Sequence, residues 1–171
     1  MSGRVLIAGI GNELMGDDGF GIAVAQRCAA MNLGPDVRIV EAGIAGIGLV
    51  QDLMDHYDTI IILDALDGDE APGSVRVLEI VVPKLAEMDD DDRRRLLTDM
   101  HYTVPSRVMI LAQALGVLPR QAYMVGCQPL TTELGIGLSA PVAAGVDMAV
   151  ARVRDLVSHA SASVASAAGS A

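Results

Sequence analysis

Short runs of β-branched and aliphatic residues alternate along this chain with longer stretches of helical periodicity. That alternation is the signature of a layered α/β fold built on a mainly parallel sheet. Arg4 to Ile10 (RVLIAGI) reads as a strand buried on both faces and ending in glycines. After the loop GNELMGDD, Gly19 to Met31 reads as a helix with Phe20, Val24, Ala25 and Cys28 near one face. Val37 to Ala42 is a second strand, Ile47 to Met54 a short helix, and Thr59 to Leu66 (TIIILDAL) a third strand, the most hydrophobic of the set. The turn DGDEAPG leads directly into Val75 to Val82, a connection too short for a crossover helix, which predicts a hairpin and one antiparallel strand. Pro105 suits the first turn of a helix that continues from Ser106 to Leu115. Tyr123 to Cys127 makes a fifth strand, and Ala140 to Val157 a closing helix.

With 171 residues, the chain is the right size for a single domain that needs no disulfide or structural metal. We expect that domain over residues 1–157, followed by a disordered Ala/Ser tail over 158–171 that carries His159 and lacks large apolar side chains. The core must be aliphatic, because 51% of the residues are hydrophobic but only 2% aromatic. The charge run from Asp89 to Arg95 reads as a solvated loop or helix face with no catalytic role.

Charge excludes several function classes. A net charge of −10 repels a phosphate backbone, and so few aromatics leave little to stack on bases, so neither nucleic acid nor an anionic membrane is an expected partner. No stretch approaches the roughly eighteen apolar residues of a membrane span. The apolar run Val5 to Ile10 is too short for a signal-peptide core. Cys28 and Cys127 form no CxxC pair, which excludes a cysteine-rich zinc module and suits a reducing cytoplasm.

In open α/β sheets, ligands bind beyond the carboxyl ends of the strands. Polar residues at those ends are Asn12 and then Asp17 and Asp18 after the first strand, Asp64 in the third, and Gln128 after the fifth, with His101 ahead of the helix at Pro105. Taken singly, each has an ordinary explanation. One of Asp17 and Asp18 is expected to cap the following helix, and His56 precedes the third strand rather than standing at its ligand end. A cap does not need two carboxylates, however, and a carboxylate inside an apolar strand needs a partner or a cation. Two strand-end aspartates and a histidine together suggest a metal site. Such an oxygen and nitrogen donor set suits nickel, zinc, iron or manganese, and three ligands leave coordination positions open.

The rival is a nucleotide site. Gly9-x-Gly11, with Glu41 near the end of the second strand, faintly matches a dinucleotide fingerprint. Leu14 stands at the third glycine position, and the helix start that would receive a pyrophosphate carries Asp17 and Asp18. Paired carboxylates attract a cation and repel phosphate, so no nucleotide is expected.

GIGNELMGDDGFGIAVAQ resembles the opening motif of the [NiFe]-hydrogenase maturation endopeptidases, and the likeness continues through IIILDALDGDEAPGSV, the His101 region, VGCQP and GLSAPV. The resemblance implies an α/β three-layer sandwich, a twisted, mainly parallel five-stranded sheet with one antiparallel strand and helices on both faces. It also implies an enzyme, a peptide-bond hydrolase that removes a C-terminal extension from the hydrogenase large-subunit precursor once nickel is in place. By motif position, the metal ligands and catalytic residues fall on Asp18, Asp64 and His101, with Asp17 the neighbouring alternative to Asp18. The nickel would be supplied by the substrate's own active site. We expect a cytoplasmic monomer whose partner is that precursor. Specificity would lie in variable loops such as Asp89 to Arg95. The same three ligands would also serve a protein that escorts the precursor without cutting it. The chain has neither HExxH nor GxSxG, and an aspartic dyad would need no imidazole.

Overall fold

The structure is a computed structural model that describes residues 3–43, 47–84, 88–91 and 104–168. In chain order it contains β1 (Val5–Ile10), a 3-10 turn (Gly16–Gly19), α1 (Phe20–Ala29), β2 (Val37–Gly43), α2 (Ile47–Leu53), β3 (Thr59–Ala65), β4 (Val75–Glu79), α3 (Val104–Ala114), β5 (Gln121–Cys127) and α4 (Ala140–Ala168). The strands form one five-stranded sheet in the order β2-β1-β3-β5-β4. Four run parallel, and β4 lies antiparallel to β5 at one edge. The expected fold class is therefore observed.

Alternate residues of each buried strand serve opposite faces. Val5, Ile7, Ile61, Leu63 and Val125 meet Phe20, Val24 and Cys28 of α1 and Val142, Ala149 and Val153 of α4. Leu6, Ala8, Ile60 and Ile62 meet Leu49 and Leu53 of α2 and Val108, Met109 and Ala112 of α3. Two aliphatic cores thus lie on the two faces of one sheet. Among the described residues, no helix is long and apolar enough to cross a membrane.

Two sequence expectations need correction. β4 is antiparallel as expected, but it makes no hairpin with β3, because β5 lies between them. Residues 60–63 of β3 are fully buried, and such a strand gains most from two neighbours, whereas Val77, Leu78 and Glu79 are exposed and suit an edge. The connection over residues 66–74 needs to cross only one intervening strand, a step of about 4.8 Å per strand spacing. The second correction is the end of α4. The sequence reading closes this helix at Val157 and leaves residues 158–171 as a disordered tail, whereas the helix runs on to Ala168, and residues 169–171 lie outside the described residues. Alanine is the best helix former, and Ala160 is buried against the core, which carries the helix past its last large apolar residues.

Helix α1 sits unusually close to the sheet. A Cβ at Gly21 would stand 2.1 Å from the Leu63 carbonyl oxygen and 2.3 Å from that of Ile10, and one at Gly9 2.6 Å from the Gly21 carbonyl oxygen. These neighbours are backbone and cannot step aside. We therefore expect Gly21→Ala to lower unfolding free energy in urea by roughly 3 kcal/mol. Gly48→Ala, at a helical site with nothing within 4 Å, should be neutral or stabilising. Equal effects at the two sites would contradict the close-packing account.

Candidate functional site

The chain leaves β1 for β2 on one side and then returns for β3 on the other, so the strand order reverses between β1 and β3. The space beyond the carboxyl ends of that pair, the switch-point crevice, is the usual ligand position in such sheets. The 3-10 turn and α1 descend into it. Gly11 has φ of 131°, and a Cβ there would stand 1.8 Å from the Asp18 carbonyl oxygen, so the loop folds tightly back over the turn. The Asn12 amide then donates to Asp18 Oδ2 at 2.8 Å, fixing one carboxylate at the crevice.

Asp64 is the second. It ends β3, partly buried, in register with Gly126 of β5. Burial, and then the nearby Asp18 charge, push its carboxyl up to about 7, against a smaller opposing contribution from the Ala65 amide. Asp64 beside the Asp18 charge makes an acidic pair that a cation would relieve.

Asp17 and Asp18 turn out to have different jobs, and neither side chain caps a helix. Asp17 is fully buried. Its Oδ2 accepts from the Leu130 amide at 2.8 Å, the Thr131 amide at 3.1 Å and the Ser139 hydroxyl at 2.8 Å, and its Oδ1 from the Ser139 amide at 2.6 Å. Burial raises its pKa, but these bonds outweigh the burial and leave it below the ordinary value. With both oxygens engaged inside the protein, Asp17 is not free to hold an ion. The expectation of a cap failed because the Asp17 carboxylate is claimed by Leu130, Thr131 and Ser139, distant in sequence, and that of Asp18 by the Asn12 amide in the preceding loop.

The structure thus brings Asp18 and Asp64 together, while His101 lies outside the described residues. Among the described residues, no group of three His, Cys, Asp or Glu side chains is placed to hold a metal ion. His56 is exposed and precedes β3, at the sheet end opposite the crevice. Burial pushes the thiols of Cys28 and Cys127 each up to about 11, with Asp17 adding to the effect at Cys127, so both remain neutral thiols. The space beside Gly9 and Gly11 is filled by the chain's own backbone and by Ala25, so these glycines serve close packing of helix on strand.

One residue was marked by its strand-end position without a role. Gln128 is buried just after β5, where its Nε2 donates to Asp67 Oδ1 at 2.9 Å and to the Pro129 carbonyl at 3.3 Å. Its Oε1 is buried without a partner.

Fold and site together define an α/β protein with an acidic crevice at its topological switch point. Residues 22–156 match the family described as hydrogenase maturation protease. The chain belongs to the hydrogenase maturation protease family, a family of peptidases. It is 33% identical over 160 residues to the hydrogenase expression/formation protein HupD of Rhodobacter capsulatus, covering 90% of this chain and 71% of the relative. The HupD of Rhizobium leguminosarum is 36% identical over 150 residues, covering 86% and 70%. Among solved structures, the hydrogenase 2 maturation peptidase of a Thaumarchaeota archaeon superposes with a TM-score of 0.69 at 32% identity, over 91% of this chain and 98% of that one. The Escherichia coli hydrogenase maturating endopeptidase HybD gives a TM-score of 0.70 at 27% identity, over 88% and 89%.

The raised carboxyl makes a signed prediction. Folded Asp64 holds a proton that the unfolded chain releases between pH 3.8 and about 7, so this residue's contribution to stability is present below that window and lost as pH rises through it. Asp64→Asn should therefore melt several degrees above the unsubstituted chain at pH 8 and alongside it at pH 3.5, by about 3 °C or more at the higher value. A melting offset that does not change with pH would contradict the burial of this carboxylate beside Asp18.

Proposed function

We propose that this chain is an endopeptidase that removes the C-terminal extension of a [NiFe]-hydrogenase large-subunit precursor after nickel insertion. The observation that carries the reading is the Asp18–Asp64 pair at the switch-point crevice of a hydrogenase maturation protease. Asp18 is held by the Asn12 amide just beyond β1, and Asp64, near the end of β3, is held partly protonated by burial and by its neighbour until a cation arrives. Asp18, Asp64 and His101 are the residues we assign to nickel that reaches the site already bound by the precursor's thiolates. Oxygen and nitrogen donors of this kind fit that ion, and the two buried cysteines of this chain stay out of its coordination.

In this reading the substrate's nickel is first a tag. A precursor without it offers nothing for the two carboxylates to hold, and a precursor with it is fixed so that the scissile bond lies against the crevice. The ion also supplies a Lewis acid for the scissile carbonyl or for an attacking water. The neutral fraction of Asp64 gives up its proton when the positive charge docks, so binding releases a proton near neutral pH. The reaction belongs to the cytoplasm, where thiols such as Cys28 and Cys127 stay reduced, and one copy of the chain forms the working unit.

Intact-mass measurement of the precursor, nickel-loaded and nickel-free, tests this. The unsubstituted chain should release a C-terminal peptide from the nickel-loaded form alone. Asp18→Asn, Asp64→Asn and His101→Ala should each slow release by about 100-fold or more. Cleavage of both forms at the same rate would overturn nickel dependence, and undiminished cleavage by the variants would overturn the residue assignments. Nickel-dependent association without any cleavage would identify an escort protein instead.

A further inference from the structure

Leu134 and Ile136 are 84% and 88% exposed, in a chain whose other aliphatic side chains mostly fill two cores. They stand on the segment that joins β5 to α4, with Leu130 exposed on the same segment and Leu14 exposed beside it. That segment does not hang free. Gly135 donates to the Leu14 carbonyl at 2.9 Å and accepts from the Gly16 amide at 2.8 Å, and the Thr131 carbonyl accepts from the Asp17 amide at 3.0 Å. Residues 14–17 and 131–135 therefore run side by side, immediately before Asp18 in the chain. Between them and α1 lies a cleft of about 150 Å³ whose walls include Glu13, Gly16, Gly19, Ala23 and Ile136.

The interaction that fixes this arrangement is the buried Asp17 carboxylate, with its four hydrogen bonds to Leu130, Thr131 and Ser139. Those partners sit at both ends of the exposed apolar stretch, so one carboxylate closes the loop from two sides. Both Asp17 oxygens are engaged, so the residue cannot itself meet substrate.

We propose that Asp17 is a positioning residue that holds the 130–139 segment as an apolar rim beside the crevice, and that Leu134 and Ile136 on this rim receive apolar side chains of the substrate polypeptide next to its scissile bond. The inference rests on the peptidase reading given above. Leu130, Leu134 and Ile136 share one segment with Leu14 hydrogen-bonded beside it, and exposed apolar side chains gathered in this way mark a binding surface. The rim's place selects the occupant. The rim pairs with residues 14–17, directly before Asp18, so a polypeptide whose scissile bond is held at Asp18 and Asp64 passes beside it.

The test is steady-state cleavage of the nickel-loaded precursor by the full chain. The double variant Leu134→Ser with Ile136→Ser should raise KM by about tenfold while kcat stays within about twofold, because the lost contacts serve binding rather than chemistry. Both side chains lie in solvent, so folding is not at stake. Ser139→Ala and Asp17→Asn should move KM in the same direction by releasing the rim. Leu115→Ser, a comparably apolar exposed site at the end of α3, should leave KM unchanged. If Asp17→Asn does not fold, the double variant still decides. An unchanged KM in the double variant, or a fall in kcat alone, would overturn the rim while leaving the peptidase intact. A dimer of the unsubstituted chain that the double variant dissolves without change in KM would make the rim a self-association face and also overturn the inference. Neither cleavage nor binding of the precursor by the unsubstituted chain would remove the peptidase reading and this inference with it.

Discussion

The start of α1 approaches the carboxyl ends of β1 and β3 to a distance only glycine permits, and the geometry of the crevice follows from that approach. Gly21 lies against the carbonyls of Leu63 and Ile10, Gly9 against Gly21, and Gly11 against Asp18. A side chain at any of these places would push the helix outward and carry the 3-10 turn with it. Close approach instead sets Asp18 within electrostatic reach of Asp64, two carboxylates from elements that are distant in sequence. Backbone packing brings the two carboxylates together, and the Asn12 amide fixes that of Asp18 there.

Adjacent aspartates then diverge because their surroundings do. Asp17 points into the protein and is satisfied by four donors, which hold it ionised and spend its oxygens on the loop beyond β5. Asp18 points into the crevice, where one backbone amide holds one of its oxygens. Asp64 has less help: burial and the Asp18 charge both favour its neutral form, and only the Ala65 amide works the other way. A like-charge pair of this sort is tolerated where a cation completes it, and it is a poor receptor for phosphate. One aspartate thus builds the wall of the site and the next equips it.

Much of this was legible in the sequence. The β-branched runs placed each strand to within a residue or two at most ends, since a strand buried on both faces leaves a continuous apolar signature. The strand-end rule marked Asp17, Asp18 and Asp64 together with Asn12 and Gln128, and it was the family resemblance that preferred Asp18 to Asp17. What escaped was non-local. The short link from β3 to β4 suggested a hairpin, but neighbours in a sheet are chosen by burial, and the half-exposed β4 went to the edge while β5 took the interior. Helix-capping preference assigned one of Asp17 and Asp18 to the helix, but Asp17 bonds to residues more than a hundred positions away. The glycines of GIGN could be read for phosphate or for packing, and only the positions of Gly21 and Asp18 distinguish the two. The length of α4 was hidden because its last turns carry small residues whose helix preference gives no amphipathic pattern.

The central claim is that the carboxylates of this crevice meet the nickel of the substrate. Nickel-edge X-ray absorption tests it most directly, on a nickel-loaded precursor with an uncleavable extension, first alone and then saturated with this chain. The account predicts that oxygen and nitrogen donors join the sulfur shell of the nickel on binding, and that Asp18→Asn removes one of them. A nickel spectrum that is the same in the free and the bound precursor would contradict it.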